Sequence, residues 1–208
     1  MRGRFISLEG GEGVGKSTQA RLLVAALAER GIDAVLTREP GGSEGAEAIR
    51  GLLLSGPAER WTIEAEALLF AAARADHVAR TIRPAIEAGR WVICDRFLDS
   101  SRAYQGVGGA LSDDDILELH RIGSGDMLPD RTLLLALPLD ESSERAGVRD
   151  GDEADRIGGR DAAFHRAVNE AFMRFAAAEP ARIRQVDASG SVEAVNARLL
   201  TALADLLP

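Results

Sequence analysis

Lysine is almost missing from this chain of 208 residues: of its 25 basic side chains only Lys16 is a lysine, and the other 24 are arginines. Cysteine is equally scarce. The single Cys94 has no partner for an internal disulfide, and one thiolate cannot build a cysteine-rich zinc site. An excess of positive charge is lacking too, because 33 acidic residues against 25 basic ones give a net charge of −8. That balance argues against a general nucleic-acid binder and against a polybasic membrane-surface protein. No apolar run reaches the roughly 18 residues that a membrane span needs. Met1-Arg2-Gly3-Arg4 leads into a short strand-like run and not into a signal peptide. What these absences leave is one domain over 1–208, of ordinary globular composition and expected in the cytoplasm.

The isolated lysine is itself informative. In a chain that uses arginine everywhere else, Lys16 marks a place where a compact ammonium on a flexible stem is needed and a planar guanidinium does not fit.

Strand-like and helix-like segments alternate from end to end. Short apolar strands are expected at 5–8, 34–36, 91–94, 132–136 and 183–186. Helices are expected from the phosphate-loop region to Gly31, over about 43–54 and 62–88, from Ser112 to about Ile122, from about Asp140, over about 161–178, and from Ser191 onwards. Ser112 with Asp115 forms a capping-box pattern. The stretch 147–159 is charged and glycine-rich with little apolar content, and reads as a flap. Five strands interleaved with helices predict an α/β fold, a parallel sheet between two helical layers.

The first strand runs directly into Gly10, Gly11, Glu12, Gly13, Val14, Gly15, Lys16 and Ser17, then Thr18. This is the G-x-x-x-x-G-K-[ST] pattern with a strand before it and a helix after it. Glycines let successive N–H groups curl around a phosphate, and the helix N-terminus adds positive dipole. Lys16 supplies a point charge to the outer phosphates, and Ser17 a hydroxyl for Mg²⁺. The pattern says nucleoside triphosphate and no more.

Other motifs narrow the choice. A guanine-specific Asn/Thr-Lys-x-Asp box cannot exist without a second lysine, and neither Asp-Phe-Gly nor His-Arg-Asp of protein kinases occurs. Arg38-Glu39-Pro40 comes just after the second strand, and Asp95-Arg96 just after the third. Ligands of open α/β sheets gather at the carboxyl ends of strands. Two forked cations on that rim, beyond what ATP requires, point to a second anionic substrate.

At this point the chain resembles the thymidylate kinase family. The residues that carry the resemblance are the segment 5–17, Thr37 to Gly42, Leu68 to Arg74, Asp95 to Gly106, and Asp155-Arg156-Ile157, in the same order and spacing over nearly the whole length. The resemblance implies a P-loop fold that phosphorylates dTMP with ATP and Mg²⁺. It implies a monophosphate region over about 38–105, a lid over about 145–160, and a homodimer for which the Ala-rich helix at 62–88 would serve. Arg38 and Arg96 would hold the 5′-phosphate of dTMP, with Glu39 near the metal or the sugar-phosphate and Arg50 lining the pocket. Phe70 would stack on thymine and Arg74 donate to a thymine carbonyl. Ser100, Ser101 and Gln105 would complete the base edge, and Tyr104 would crowd the 2′ position. Asp95 would serve the metal shell or the acceptor oxygen.

Where some members carry an arginine in the phosphate loop, this chain has Glu12 and Gly13, so the lid must supply it. Arg149 is the first candidate, then Arg145 and Arg156. The chain departs from the family pattern at Gly158 and Gly159, where a glutamate often follows Asp-Arg-Ile, and at 107–110, where an arginine is common. Two other readings stay open on the residues alone: a nucleoside monophosphate kinase with another base preference, and a non-catalytic nucleotide-binding module.

Overall fold

A computed structural model describes residues 2–107, 110–138, 140–142, 144–145 and 156–208. Five parallel strands form one sheet: β1 (Phe5–Glu9), β2 (Ala34–Arg38), β3 (Trp91–Asp95), β4 (Arg131–Ala136) and β5 (Ile183–Asp187). Their order across the sheet is β2-β3-β1-β4-β5. Successive side chains of a strand face opposite sides, and the core divides accordingly. Ile6 and Leu8 of β1 and Ile93 of β3 pack with α1 (Lys16–Ala28) on one face, through Leu23 and Leu27. Phe5, Val92 and Cys94 turn to the other face, among Phe97, Leu98 and Ile82. Burial on both faces explains why β3 reads as an unbroken apolar run.

The other described helices are α2 (Glu44–Leu54), α3 (Ile63–His77), α4 (Arg83–Glu87), α5 (Leu98–Gly106), α6 (Asp113–Ser124), α7 (Ala162–Ala178) and α8 (Val192–Ala202). Side chains cap most of their starts. Ser43, Thr62, Ser112, Asp161 and Ser191 each accept the N–H three residues on, and Ser112 with Asp115 forms the full reciprocal box. Residues 140–142 and 144–145 are helical, as expected from about Asp140.

One expectation needs refinement. The helix foreseen over 62–88 is present without a break but is not α throughout: α3 passes through a π-helical turn, Val78–Ile82, before α4. Pro84 follows the π turn, near the start of α4. A π turn of this kind places one extra residue within the helix, so the faces of α3 and α4 fall out of register.

Strand register places the ends that matter side by side. Arg38 lies opposite Asp95, and Leu8 opposite Asp95 on the other flank of β3. The rim therefore carries the phosphate loop, the end of β2 and the end of β3 in adjacent positions.

Candidate active site

Between β1 and α1 the backbone turns through Gly10 and Gly15, whose φ values of 136° and 90° favour glycine. At Gly10 a Cβ would also stand 2.5 Å from the Leu135 carbonyl oxygen, so the first glycine is needed for space as well as for conformation. Lys16 opens α1 and is buried. Its Nζ donates to the carbonyls of Gly10 at 3.1 Å and Gly11 at 2.6 Å. Burial, followed by the neighbouring Arg96 guanidinium, lowers its pKa to about 8.

The loop opens into a cavity of about 490 Å³ at the carboxyl ends of β1, β2 and β3. A volume of that size is ordinary for a small-ligand site. Its lining includes Gly13, Gly15, Lys16, Ser17 and Thr18 of the phosphate loop and α1, Phe70 and Arg74 of α3, Ser100, Ser101, Tyr104 and Gln105 of α5, and Arg38, Glu39, Arg50, Asp95 and Arg96. All the described residues proposed from sequence for the two substrates therefore fall on or beside one cavity. Arg149 lies outside the described residues.

Arg96 is the hub of this lining. It follows β3 with φ of 70°, a left-handed conformation rarely adopted by a residue with a side chain. Its own N–H donates to the Leu8 carbonyl, and Glu9 holds the segment that follows by accepting from the Phe97 N–H at 2.7 Å and the Ser100 hydroxyl at 2.6 Å. The guanidinium donates to Gly10 O, the Ser100 hydroxyl, Glu12 Oε1 and the Tyr104 hydroxyl. Burial works to lower its pKa, but Glu12 and the other acidic neighbours outweigh this and hold it above the usual value. Tyr104 is buried against Phe164 and Phe172, and that burial pushes its phenol pKa up.

Arg74 is fixed just as firmly. Its Nε donates to Glu39 at 2.8 Å, while one terminal nitrogen donates to the Phe97 carbonyl and, at 2.8 Å, to the Ser101 hydroxyl. Glu39 uses its other oxygen toward His77 Nδ1 at 3.0 Å. Glu39 thus holds Arg74 of the cavity wall with one oxygen and the buried His77 with the other. Arg38 is exposed beside Glu47, and Arg50 donates to the Pro40 carbonyl.

At the mouth of the phosphate loop the Ser17 hydroxyl donates to the Asp95 carboxylate. Two hard oxygen ligands side by side next to a triphosphate cradle suit Mg²⁺, which is usually held by one or two carboxylates, substrate phosphates and water.

Two of the lid candidates behave differently. Arg145 lines the cavity, half-exposed near Glu141. Arg156 is buried, paired with Glu66 and donating to the Leu53 and Ala58 carbonyls, so its guanidinium is committed to the wall. Cys94 is also buried, which raises its thiol pKa well above the usual value. His77 and His120 are core residues.

Sequence reasoning passed over Glu9, Glu66 and Arg160. A signal existed for Glu66: an acid within an apolar helix, spaced by four from Phe70 and by eight from Arg74, shares their face.

Comparison with known proteins identifies the family. The family model for thymidylate kinase matches residues 8–199. The chain belongs to the thymidylate kinase family. A thymidylate kinase of Rhizorhabdus wittichii is 65% identical over 208 residues, spanning both chains completely. One from a Bradyrhizobium species is 50% identical over 196 residues, covering 94% of this chain and 87% of the relative. Among solved structures, the thymidylate kinase of Ehrlichia chaffeensis superposes with a TM-score of 0.78 at 29% identity, covering 98% of this chain and all of the other.

Proposed function

We propose that this chain, a thymidylate kinase that phosphorylates dTMP to dTDP with ATP, holds its two substrates in the single cavity at the strand ends and joins them across Arg96. The observation that carries this reading is the position of that guanidinium. It bonds to Gly10 of the phosphate loop on one side and to Ser100 and Tyr104 of the base-side wall on the other.

Residues 10–18 would cradle ATP, with loop N–H groups and the Lys16 ammonium on its phosphates. Arg38 and Arg96 would receive the dTMP phosphate, with Arg50 beside them. Phe70 would lie on the thymine ring, and Arg74, Ser101 and Gln105 would meet the base edge. Tyr104 would close the 2′ side of the sugar. An oxygen of the dTMP phosphate then attacks the γ-phosphorus of ATP, and the bond to the β-phosphate oxygen breaks, releasing ADP. Little covalent help is needed, so positioning and charge neutralisation carry the rate.

Ser17 and Asp95 would hold Mg²⁺, and the ion when bound neutralises charge on the nucleotide phosphates. Arg149 is proposed as the arginine that meets the transferring phosphoryl group. Arg145, on the cavity wall, is next, since Arg156 is committed elsewhere. The whole chain would act as one domain in the cytoplasm, as a homodimer.

The test is turnover with ATP and Mg²⁺ on a panel of nucleoside monophosphates. dTMP should be preferred over dCMP, and Lys16→Ala should lower kcat by at least about 10²-fold with the fold intact. Equal use of dTMP and dCMP would favour a kinase of other base preference. Undiminished turnover by Lys16→Ala would remove the phosphate loop from the reaction.

A further inference from the structure

Glu66 lies on the α3 face that carries Phe70 and Arg74, yet it is only 1% exposed. Its carboxylate gathers three side chains from elsewhere in the chain. It accepts from Gln105 Nε2 at 2.8 Å, from Arg160 at 2.8 and 3.1 Å, and from Arg156. Guanidinium groups only donate, so both Glu66 oxygens, which face Arg156 and Arg160, are occupied as acceptors. Gln105 must therefore present its NH₂ group to Glu66. The amide is planar, and its oxygen is directed away from that contact. That oxygen, Oε1, is buried and meets no hydrogen-bond donor among the described residues.

Buried side-chain acceptors in folded proteins nearly always have a partner, and a missing one calls for a ligand or water. Gln105 lines the cavity on its base side. We propose that Glu66, anchored by Arg156 and Arg160, is a positioning residue that fixes the polarity of the Gln105 amide, so that an acceptor and not a donor serves the base. The inference rests on the placement of Gln105 at the base edge. Thymine and uracil carry a hydrogen at ring N3, whereas cytosine has a lone pair there. A fixed oxygen attracts the first two and repels the third. Without the carboxylate, the terminal amide torsion has two nearly equivalent orientations, one of which offers cytosine a donor. Base discrimination is then set by a side chain that does not touch the base.

The experiment measures kcat and KM for dTMP, dUMP and dCMP, with ATP and Mg²⁺, in the wild type, Glu66→Gln, Gln105→Ala and the double variant. Glu66→Gln should raise KM for dTMP, leave kcat within about twofold, and cut the preference for dTMP and dUMP over dCMP by about tenfold. In the Gln105→Ala background the same change should have less than about a twofold effect on that preference, because the group through which Glu66 acts is gone. Glu66→Asp keeps the charge for the two arginines but withdraws it by one methylene. It should shift the preference in the same direction, and it serves if Glu66→Gln does not fold. A loss of kcat equal on dTMP and dCMP, or an effect undiminished in the double variant, would overturn the inference. If Gln105→Ala alone changes neither KM nor preference, the failure belongs to the base-edge reading instead.

Discussion

At the scale of single residues, Lys16 carries a testable consequence of its burial. The ordinary lysine pKa of 10.5 falls to about 8, first through loss of water and then through Arg96. The unfolded chain keeps the proton between about pH 8 and 10.5 and the folded chain sheds it, so this group's contribution to stability rises with pH across that window. Nucleotide binding runs in the opposite sense. ATP phosphates favour the ammonium form, so above pH 8 binding has to recruit a proton. ATP should bind about tenfold more weakly at pH 9 than at pH 7, with proton uptake approaching one per site in calorimetry with two buffers of different ionisation enthalpy. An affinity flat over that range, with no uptake, would mean that Lys16 stays charged in the folded protein. The lysine was legible in the sequence because its type and its motif coincide. Glu9 was not, because a carboxylate at the end of a strand looks like any surface acid until burial, then Asp99, raises its pKa to about 8.

At the scale of elements, α5 carries Ser100, Ser101, Tyr104 and Gln105, so whatever seats this helix seats the proposed base pocket. The seat is ionic. Asp99 is 1% exposed and accepts from Arg102 on its own helix and from Arg182, just before β5, while Thr132 of β4 donates to it as well. Arg102 continues the network to Asp113 at the start of α6 and Glu179 at the end of α7. Removing one member of a buried set leaves charges without partners, which costs about 3–5 kcal/mol, whereas exposed pairs contribute about 0–1 kcal/mol. Asp99→Ala should therefore lower stability in chemical denaturation by about 3 kcal/mol or more, and Asp113→Ala, at the exposed end of the network, by about 1 kcal/mol at most. Equal effects would show that the network is no more than surface pairing. None of this was readable from spacing. Helix and strand positions follow from local apolar period, capping residues and glycine stops, but Asp99 and Arg182 are 83 positions apart and meet only through the sheet. The π turn at Val78–Ile82 escaped for a related reason: one added residue in a helix barely disturbs an Ala-rich pattern.

At the scale of the whole molecule, the fold brings three strand ends to one rim, and the motifs there could be read as a pair of substrate sites because each strand ends in chemistry. The outer surface has no such punctuation. α2 packs on α3, and α3 on α6. Each leaves a large apolar side chain in water: Leu52 at 42%, Leu68 at 56% and Ile122 at 68% exposed. Single exposed apolar residues are unremarkable, but three on a connected helical layer suit the homodimer proposed above. Phe70 and Arg74 belong to α3, so a partner seated on this layer would also steady the proposed base pocket. Sedimentation of the wild type should report twice the chain mass of 22.1 kDa. Leu68→Asp should shift it to the single-chain mass at micromolar concentration, because a charge buried in an apolar interface is not repaid. The monomeric variant should also show a raised KM for dTMP with ATP affinity little changed, since the phosphate loop lies between β1 and α1 and not on this layer. A wild type that sediments at the single-chain mass would refute the dimer. A monomeric variant with an unchanged KM would keep the dimer but separate it from the pocket, and Arg74 would then owe its position to its intrachain bonds with Glu39, Ser101 and Phe97 alone.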